Sequence, residues 1–342
     1  MKFFADEPSW AAGLMADGLI VPPEAGGYYA PPTKTAYLYK QGNPYYTHVL
    51  LLHEATHQFH YLARLQGQNP PFWYVEGVAE SLGRHDWDGH CVELGVVPLL
   101  SWEDIPAAAL PEVTSAGFNL GSIVDGPVKP SRAVSWAIYE FLEHSAGGAH
   151  HDAFKAYRDA VDANLPNPSF ATLVGDPAAL TAPLALHVAT AQEPMHPIFI
   201  EWTHLGQHET LGDSPMFFSF AVTRKTPTHF EARYDVPSAQ TWFAGVVVGY
   251  QDENNYLTLM ISQTGSLQLF GYSGGNMVSS AAGKAPASLG DGTGSIAVDF
   301  GPGASVTATV NGKTANHVVT LPLRGGVAVS GSRVLLHDIA WK

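Results

Sequence analysis

The chain has 342 residues, 46% of them hydrophobic and 14% charged, with 17 Lys+Arg against 31 Asp+Glu, a net charge of −14, and 16 histidines. At roughly 150 residues per domain this suggests about two domains, and an acidic surface that repels phosphate backbones excludes a general nucleic-acid binder. The single cysteine, Cys91, excludes an intramolecular disulfide and any Cys-rich zinc module, so metal chemistry has to use His and carboxylates.

In chain order, Gly27–Ala30 and Thr35–Tyr39 read as two short strands around Pro31-Pro32. Leu50, Leu51, Ala55, Phe59 and Leu62 recur at helical spacing through 48–65, and a second helix runs from Trp73 to Leu82 after Pro70-Pro71. Ser131 can cap a helix over 132–145 striped by Val134, Ile138, Phe141 and Leu142, and the Gly147-Gly148 break leads into another over 151–163. From about 197 the period becomes two. Met216–Val222, Phe230–Tyr234, Trp242–Tyr250, Tyr256–Ile261, Ser266–Phe270, Ser295–Phe300, Ser305–Val310, His317–Leu321, Gly326–Val329 and Val334–Ile339, preceded by Ile198–Trp202, read as short strands without helices between them. That pattern is an antiparallel sandwich. The expectation is an α+β domain over 1–195 and an all-β domain over 196–342, joined near 190–197. The acidity is unequal: 9 basic and 21 acidic residues before 196, 8 and 10 after.

No stretch approaches the roughly 20 apolar residues that cross a bilayer, so no transmembrane segment is expected. Met1 to Glu7 lacks the apolar core of a signal peptide.

The strongest chemical signal is His53-Glu54-Ala55-Thr56-His57. On a helix, residues i and i+4 stack one turn apart on one face, so two imidazoles can close on one metal, while Glu54 beside them is rotated to reach a water there. A catalytic zinc needs a third protein ligand. His60 lies seven residues from His53, roughly 10 Å along a helix axis, too far to share a zinc with it. No glycine follows His57 until Gly67, so a Gly-broken helix presenting a third His is absent. The remaining candidate is Glu76, on the helix that a loop through Pro70-Pro71 can fold back against the first. His53, His57 and Glu76 would leave a fourth position open for water. A second cluster, Arg84 to Cys91, holds metal-ligating atoms, but its Asp-Gly pair reads as a turn leading into a strand over Val92-Glu93-Leu94. His150-His151 reads as the exposed start of a helix.

With 18 residues between His57 and Glu76, and Glu76-Gly77-Val78-Ala79-Glu80 preceded by an aromatic pair, the motif resembles the gluzincin metallopeptidases in the spacing of the aminopeptidase-N-like branch. The wording from Leu52 to Gln58 and from Trp73 to Glu80 looks closest to a group of small bacterial gluzincin-like domains. The resemblance covers roughly residues 20–175 and implies Zn²⁺ on His53, His57 and Glu76, Glu54 as general base, and Glu80 orienting a ligand imidazole. It also implies a peptide or protein substrate, with the strand Thr35–Tyr39 aligning an extended peptide by edge pairing. Those families place a tyrosine, which stabilises the tetrahedral intermediate, at the start of the helix that here begins near Arg132. Either Arg132 or Tyr139, two turns further on, stands for it.

The second half resembles concanavalin A or laminin G jelly rolls, carried by Ala244 to Tyr256 and by Val310-Asn311-Gly312-Lys313. Such domains imply a glycan or surface partner, for which Trp242, Phe270 and Tyr272 are the candidate aromatics. By analogy the chain is expected to act outside the cytoplasm, with any signal peptide absent from this sequence. The expected function is zinc-dependent peptide hydrolysis. The rivals are a zinc hydrolase of another amide or ester, and a glycan- or partner-binding protein with a catalytically weakened peptidase scaffold.

Overall fold

The computed structural model describes all residues except 23–24, 43, 66–69, 88–90, 98–100, 102, 164, 166–167, 192–193, 198–201, 206–207, 212–213, 236–241, 263, 285–292 and 332–333. The chain divides into two compact units: Met1–His85, Glu93–Val97 and Asp104–Gln192 form the first, and Asp86–Val92, Pro98–Glu103 and Glu193–Lys342 the second. The main change of unit falls beside the sequence-based boundary at 195, while two short segments of the first half associate with the second unit.

The first unit opens with β1 (Lys2–Phe4), α1 (Glu7–Ala16), β2 (Gly27–Ala30) and β3 (Thr35–Tyr39). The sheet order is β1-β3-β2, with β1 parallel and β2 antiparallel to β3. This corrects the expectation that Thr35–Tyr39 offers a free edge: β3 is hydrogen-bonded on both sides, and the edge strands are β1 and β2, of which β2 lines the cavity described below.

α2 (Pro44–Phe59) starts four residues before the expected helix and passes into a π-helical turn, His60–Arg64. α3 (Phe72–Gly83), β4 (His85–Trp87), β5 (Val92–Leu94), α4 (Ile105–Val113), α5 (Leu120–Val124), α6 (Arg132–His144), α7 (His151–Asp162), α8 (Phe170–Leu173) and α9 (Pro177–Thr190) follow. Ser131 caps α6 as expected, its Oγ accepting from the Val134 N–H at 3.1 Å. Trp73 centres the helical core, stacked near Phe154 and Tyr157 (6.2 and 5.9 Å) and edge-on to Phe170.

Three longer helices, α1, α4 and α9, were not expected. Prolines at the start of each and inside α4 and α9 obscure their period. Their signals are capping aspartates, Asp6, Asp104 and Asp176, each accepting a backbone N–H within the first turn.

The second unit is a sandwich of two seven-stranded sheets. Its strands are β6 (His196–Pro197), β7 (Trp202–Leu205), β8 (His208–Leu211), β9 (Ser214–Val222), β10 (His229–Asp235), β11 (Trp242–Asp252), β12 (Asn255–Ser262), β13 (Ser266–Ser273), β14 (Asn276–Lys284), β15 (Thr293–Phe300), β16 (Ser305–Val310), β17 (Lys313–Val318), β18 (Gly326–Gly331) and β19 (Leu335–Trp341). One sheet runs β17-β16-β15-β10-β19-β8-β7 and the other β14-β13-β12-β11-β18-β9-β6, and each pairing with a described register is antiparallel. This is a jelly-roll-type arrangement. Ala244, Val246 and Val248 of β11 and Leu257, Leu259 and Ile261 of β12 join Phe230, Ile296, Val298 and Val306 in its main core. Val247, Tyr256 and Met260 belong to a second cluster with Phe220, so this sheet is apolar on both faces, which explains its uninterrupted valine run.

Candidate metal centre

Helical geometry on α2 sets the first two groups. His53 and His57 stack one turn apart with their rings nearly perpendicular, and their Nε2 atoms lie 3.0 Å from each other. α3 can approach because Gly83 faces α2: a Cβ there would lie 3.3 Å from the Val49 carbonyl oxygen and 3.5 Å from His53 Cβ. On the other side Gly77 meets α6, where a Cβ would fall 2.6 Å from the Ser135 carbonyl oxygen. Wedged in this way, α3 delivers Glu76 with Oε2 3.7 Å from His53 Nε2 and Oε1 3.5 Å from His57 Nε2.

The donor set fits zinc. Two atoms bound at about 2.0–2.1 Å and a tetrahedral angle are about 3.3 Å apart, and the three separations here are 3.0, 3.5 and 3.7 Å. Burial, with Arg132 next, holds the His53 imidazole well below its ordinary value and takes His57 down to about 4. Both rings are therefore neutral near pH 7, as metal ligands must be. Burial pushes the Glu76 carboxyl up to about 7, against the pull of Arg132. Among the described residues these three are the group whose His, Cys or carboxylate atoms converge in this way.

Glu80, one turn after Glu76, is 2% exposed, and its Oε1 lies 3.3 Å from His53 Nδ1. Two arginines compensate its charge: Arg84 donates to Oε2 at 3.0 Å, and the Arg132 guanidinium contacts Oε1. Arg132 Nε also stands 4.0 Å from Glu76 Oε2. Arg132 is the first residue of α6, half-exposed to the site, where the resemblance implies a tyrosine. Tyr139 lies elsewhere. It is buried in the helical core, edge-on to Phe154, and its hydroxyl accepts from Arg158 at 3.3 Å. Of the two candidates for the oxyanion, only Arg132 lines the cavity described below.

Glu54 sits on the opposite wall, pressed against β2. A Cβ on Gly27 would lie 2.8 Å from Glu54 Cγ, and the backbone of Tyr29 hydrogen-bonds to its carboxyl. Burial pushes that carboxyl up to about 8 against the attraction of Arg132, and Glu76 adds to the rise. These residues open into a cavity of about 590 Å³ bounded by β2 through Gly27, Tyr28 and Tyr29, and by Tyr61, Phe72 and Lys129.

His60 also lines the cavity but stands apart from the converging trio. Its Nε2 lies 3.1 Å from Asp162 Oδ1, which also accepts from the Tyr74 hydroxyl at 3.1 Å. In the second histidine cluster, residues 88–90 lie outside the described residues, while His85 Nδ1 lies 3.0 Å from the Gly83 carbonyl oxygen. His150 and His151 are half-buried rather than exposed, His150 beside Phe141 and His151 with Nδ1 3.4 Å from Glu143 Oε1. In the sandwich, Phe270 and Tyr272 are half-buried with ring centroids 6.5 Å apart, and the side chain of Trp242 lies outside the described residues. Asp252 Oδ1 accepts from the Asn254 N–H and from Asn255 Nδ2, both at 2.9 Å, which occupies it within the β11–β12 turn.

No protein-family model matches the sequence, and no curated protein matches it. Solved structures similar to part of the chain include the carbohydrate binding module CBM66 from Bacillus subtilis, at 11% identity and a TM-score of 0.36 over 43% of this chain and 94% of that one. CG-16, a homodimeric agglutinin from chicken liver, is similar at 16% identity and a TM-score of 0.30 over 37% of this chain and all of the other. Chicken galectin 2 is similar at 9% identity and a TM-score of 0.30 over 36% and 97%. At such values these likenesses say nothing of what this chain does. No helix among the described residues is long and apolar enough to cross a membrane.

Proposed function

We propose that the first unit is a zinc-dependent peptidase. The observation that carries this reading is the convergence of His53, His57 and Glu76 at zinc-like separations, with Glu54 beside them under an edge strand. His53, His57 and Glu76 would hold the ion. Bound there, Zn²⁺ would polarise a carbonyl and make water a stronger acid near neutral pH. Glu54 accepts the proton of the attacking water on its carboxylate and returns it to the leaving nitrogen. A cation held next to Glu54 favours its charged form, offsetting the burial that raises it in the metal-free protein. Arg132 directs its guanidinium to the negative charge that develops on the carbonyl oxygen, while Glu80 and Arg84 fix its position. The unpaired edge of β2 aligns an extended main chain along the cavity.

The same residues could act on another amide or an ester. Elemental analysis of wild type beside Glu76→Ala, and turnover of a peptide library beside small amides and esters, tests the reading. Full zinc content in the variant would remove Glu76 as a ligand, and a zinc-loaded wild type inert on every peptide would remove the peptidase.

A second reading concerns the sandwich. Half-buried Tyr250, Phe270 and Tyr272 pack against the cluster of Phe220 and Tyr256, which leaves aromatic edges of the kind that stack on sugar rings. A glycan array probed with the full chain tests it, and loss of any positive signal in Tyr272→Ala would locate the contact. In that case a silent zinc site would mark the first unit as a scaffold.

A further inference from the structure

The cavity of the metal centre carries a cation that its chemistry does not use. Its wall holds four formally charged side chains besides the histidines: Glu54, Glu76, Arg132 and Lys129. Glu76 faces the imidazoles, Glu54 lies under β2, and Arg132 is answered by Glu80. Lys129 has no carboxylate partner among the described residues; its Nζ lies over the ring of Phe72, 5.4 Å from the centroid. Pro127 and Pro130 bracket it, which restricts the backbone that presents it. Three residues before Arg132, its Cα is at most about 11 Å from that of the oxyanion candidate. In a domain whose overall balance is acidic, a lysine without an acidic partner on a cavity wall is a local reversal of sign, and a dication held by two neutral histidines and one carboxylate adds to it.

We propose that the cavity selects substrates with a carboxylate close to the bond to be cleaved, and that Lys129 is the residue that reads it. The proposal rests on the peptidase reading. The ammonium is a point charge with three donors on a flexible stem, so it accepts a carboxylate without demanding one geometry. The aromatic ring beneath holds the ammonium at the cavity wall without supplying a carboxylate that would compete for it. Two sources share this chemistry, the α-carboxylate at the end of a peptide and the side chain of an acidic residue. An extended main chain advances about 3.3 Å per residue, so either group within about three residues of the scissile bond is in reach.

The test is calorimetric binding to the zinc-loaded Glu54→Gln protein, which removes turnover. Three N-terminally blocked peptides of one sequence serve as probes: one with a free C-terminal carboxylate, one with a C-terminal amide, and one amidated with glutamate in place of the last residue. The expected result is that at least one carboxylate-bearing peptide binds about tenfold more tightly than the plain amide, an advantage worth about 1.4 kcal/mol. It disappears in Lys129→Ala and reverses in Lys129→Glu, both on an exposed side chain whose replacement leaves the fold intact. Whichever carboxylate keeps the advantage identifies the source. Equal binding of all three peptides, or an advantage that survives Lys129→Ala, overturns the carboxylate subsite alone. Binding of none overturns the peptidase reading and this inference with it.

Discussion

His53 and His57 face each other Nε2 to Nε2 at 3.0 Å, both with depressed proton affinity and both beside the carboxylate of Glu76. Two neutral imidazoles so placed can share at most one proton, and a cation between them resolves the crowding of lone pairs. Zinc is therefore expected to stabilise the first unit, by about 4 kcal/mol at a thousandfold excess over its dissociation constant, and so to raise its unfolding temperature. Differential scanning calorimetry with and without zinc checks this. His57→Ala should remove the shift.

Proton release on metal binding follows from the same groups. Glu76 titrates at about 7 in the metal-free protein, above the ordinary carboxyl, whereas His57 is already neutral above about 4. Zinc binding at pH 6 should release a proton from Glu76 and none from the histidines, and the release by Glu76 should fade above pH 8. Calorimetry of the Glu54→Gln protein in buffers of different ionisation enthalpy measures it, since Glu54, raised to about 8, would add a proton of its own; absence of any release at pH 6 would contradict the assignment. The sign for folding is also set. A carboxyl raised in the folded state contributes stability that is complete below 4.5 and lost as pH rises through about 7, so metal-free Glu76→Gln should gain on wild type across that window.

Glu54→Gln keeps the volume and the contact with β2 but cannot take a proton. Zinc content should stay at the wild-type level while kcat falls by about two to four orders of magnitude. Unchanged turnover would end the general-base role.

Arg132 has two effects that substitution separates. Arg132→Ala leaves the buried Glu80 with Arg84 as its remaining arginine and should cost about 1–3 kcal/mol in denaturant unfolding as well as lowering kcat. Arg132→Lys keeps a charge but not the planar fork, so it should recover part of the stability and less of kcat.

Gly77→Ala places a methyl 2.6 Å from a backbone oxygen of α6, which cannot move aside as a side chain tip could. The expected cost is about 1–3 kcal/mol, with weaker zinc binding because Glu76 is the next residue. Thermal melts and a zinc titration give both.

The convergence of His53, His57 and Glu76 is legible in sequence because helical stacking fixes two of them locally and a short return brings the third. Lys129 is not, since its arrival at the cavity depends on how a proline-rich loop packs over Phe72. Most sandwich strands are legible where apolar residues alternate, but the expected Ile198–Trp202 lies, except for Trp202, outside the described residues, the expected His317–Leu321 meets β17 only at its end, and β7 and β8 have no counterpart in the sequence reading. β14 is not legible because, after an exposed Met277 and Val278, it consists of small and polar residues at a sheet edge, where pairing with β13 on one side suffices. The free edge was assigned to Thr35–Tyr39 because no short-range signal tells a central strand from an outer one; that depends on where Lys2–Phe4 returns.

Gly27 joins two parts of the site that are usually considered separately. Having no side chain, it lets the Glu54 carboxyl rest directly on β2, the strand that lines the cavity through Gly27, Tyr28 and Tyr29. If Glu54 is the proton acceptor proposed above, a shift of β2, by an incoming main chain or by a mutation in β3, would shift the acceptor as well. The proposed base and the proposed substrate-aligning strand would then answer to one contact, which a Cβ at position 27 would push apart.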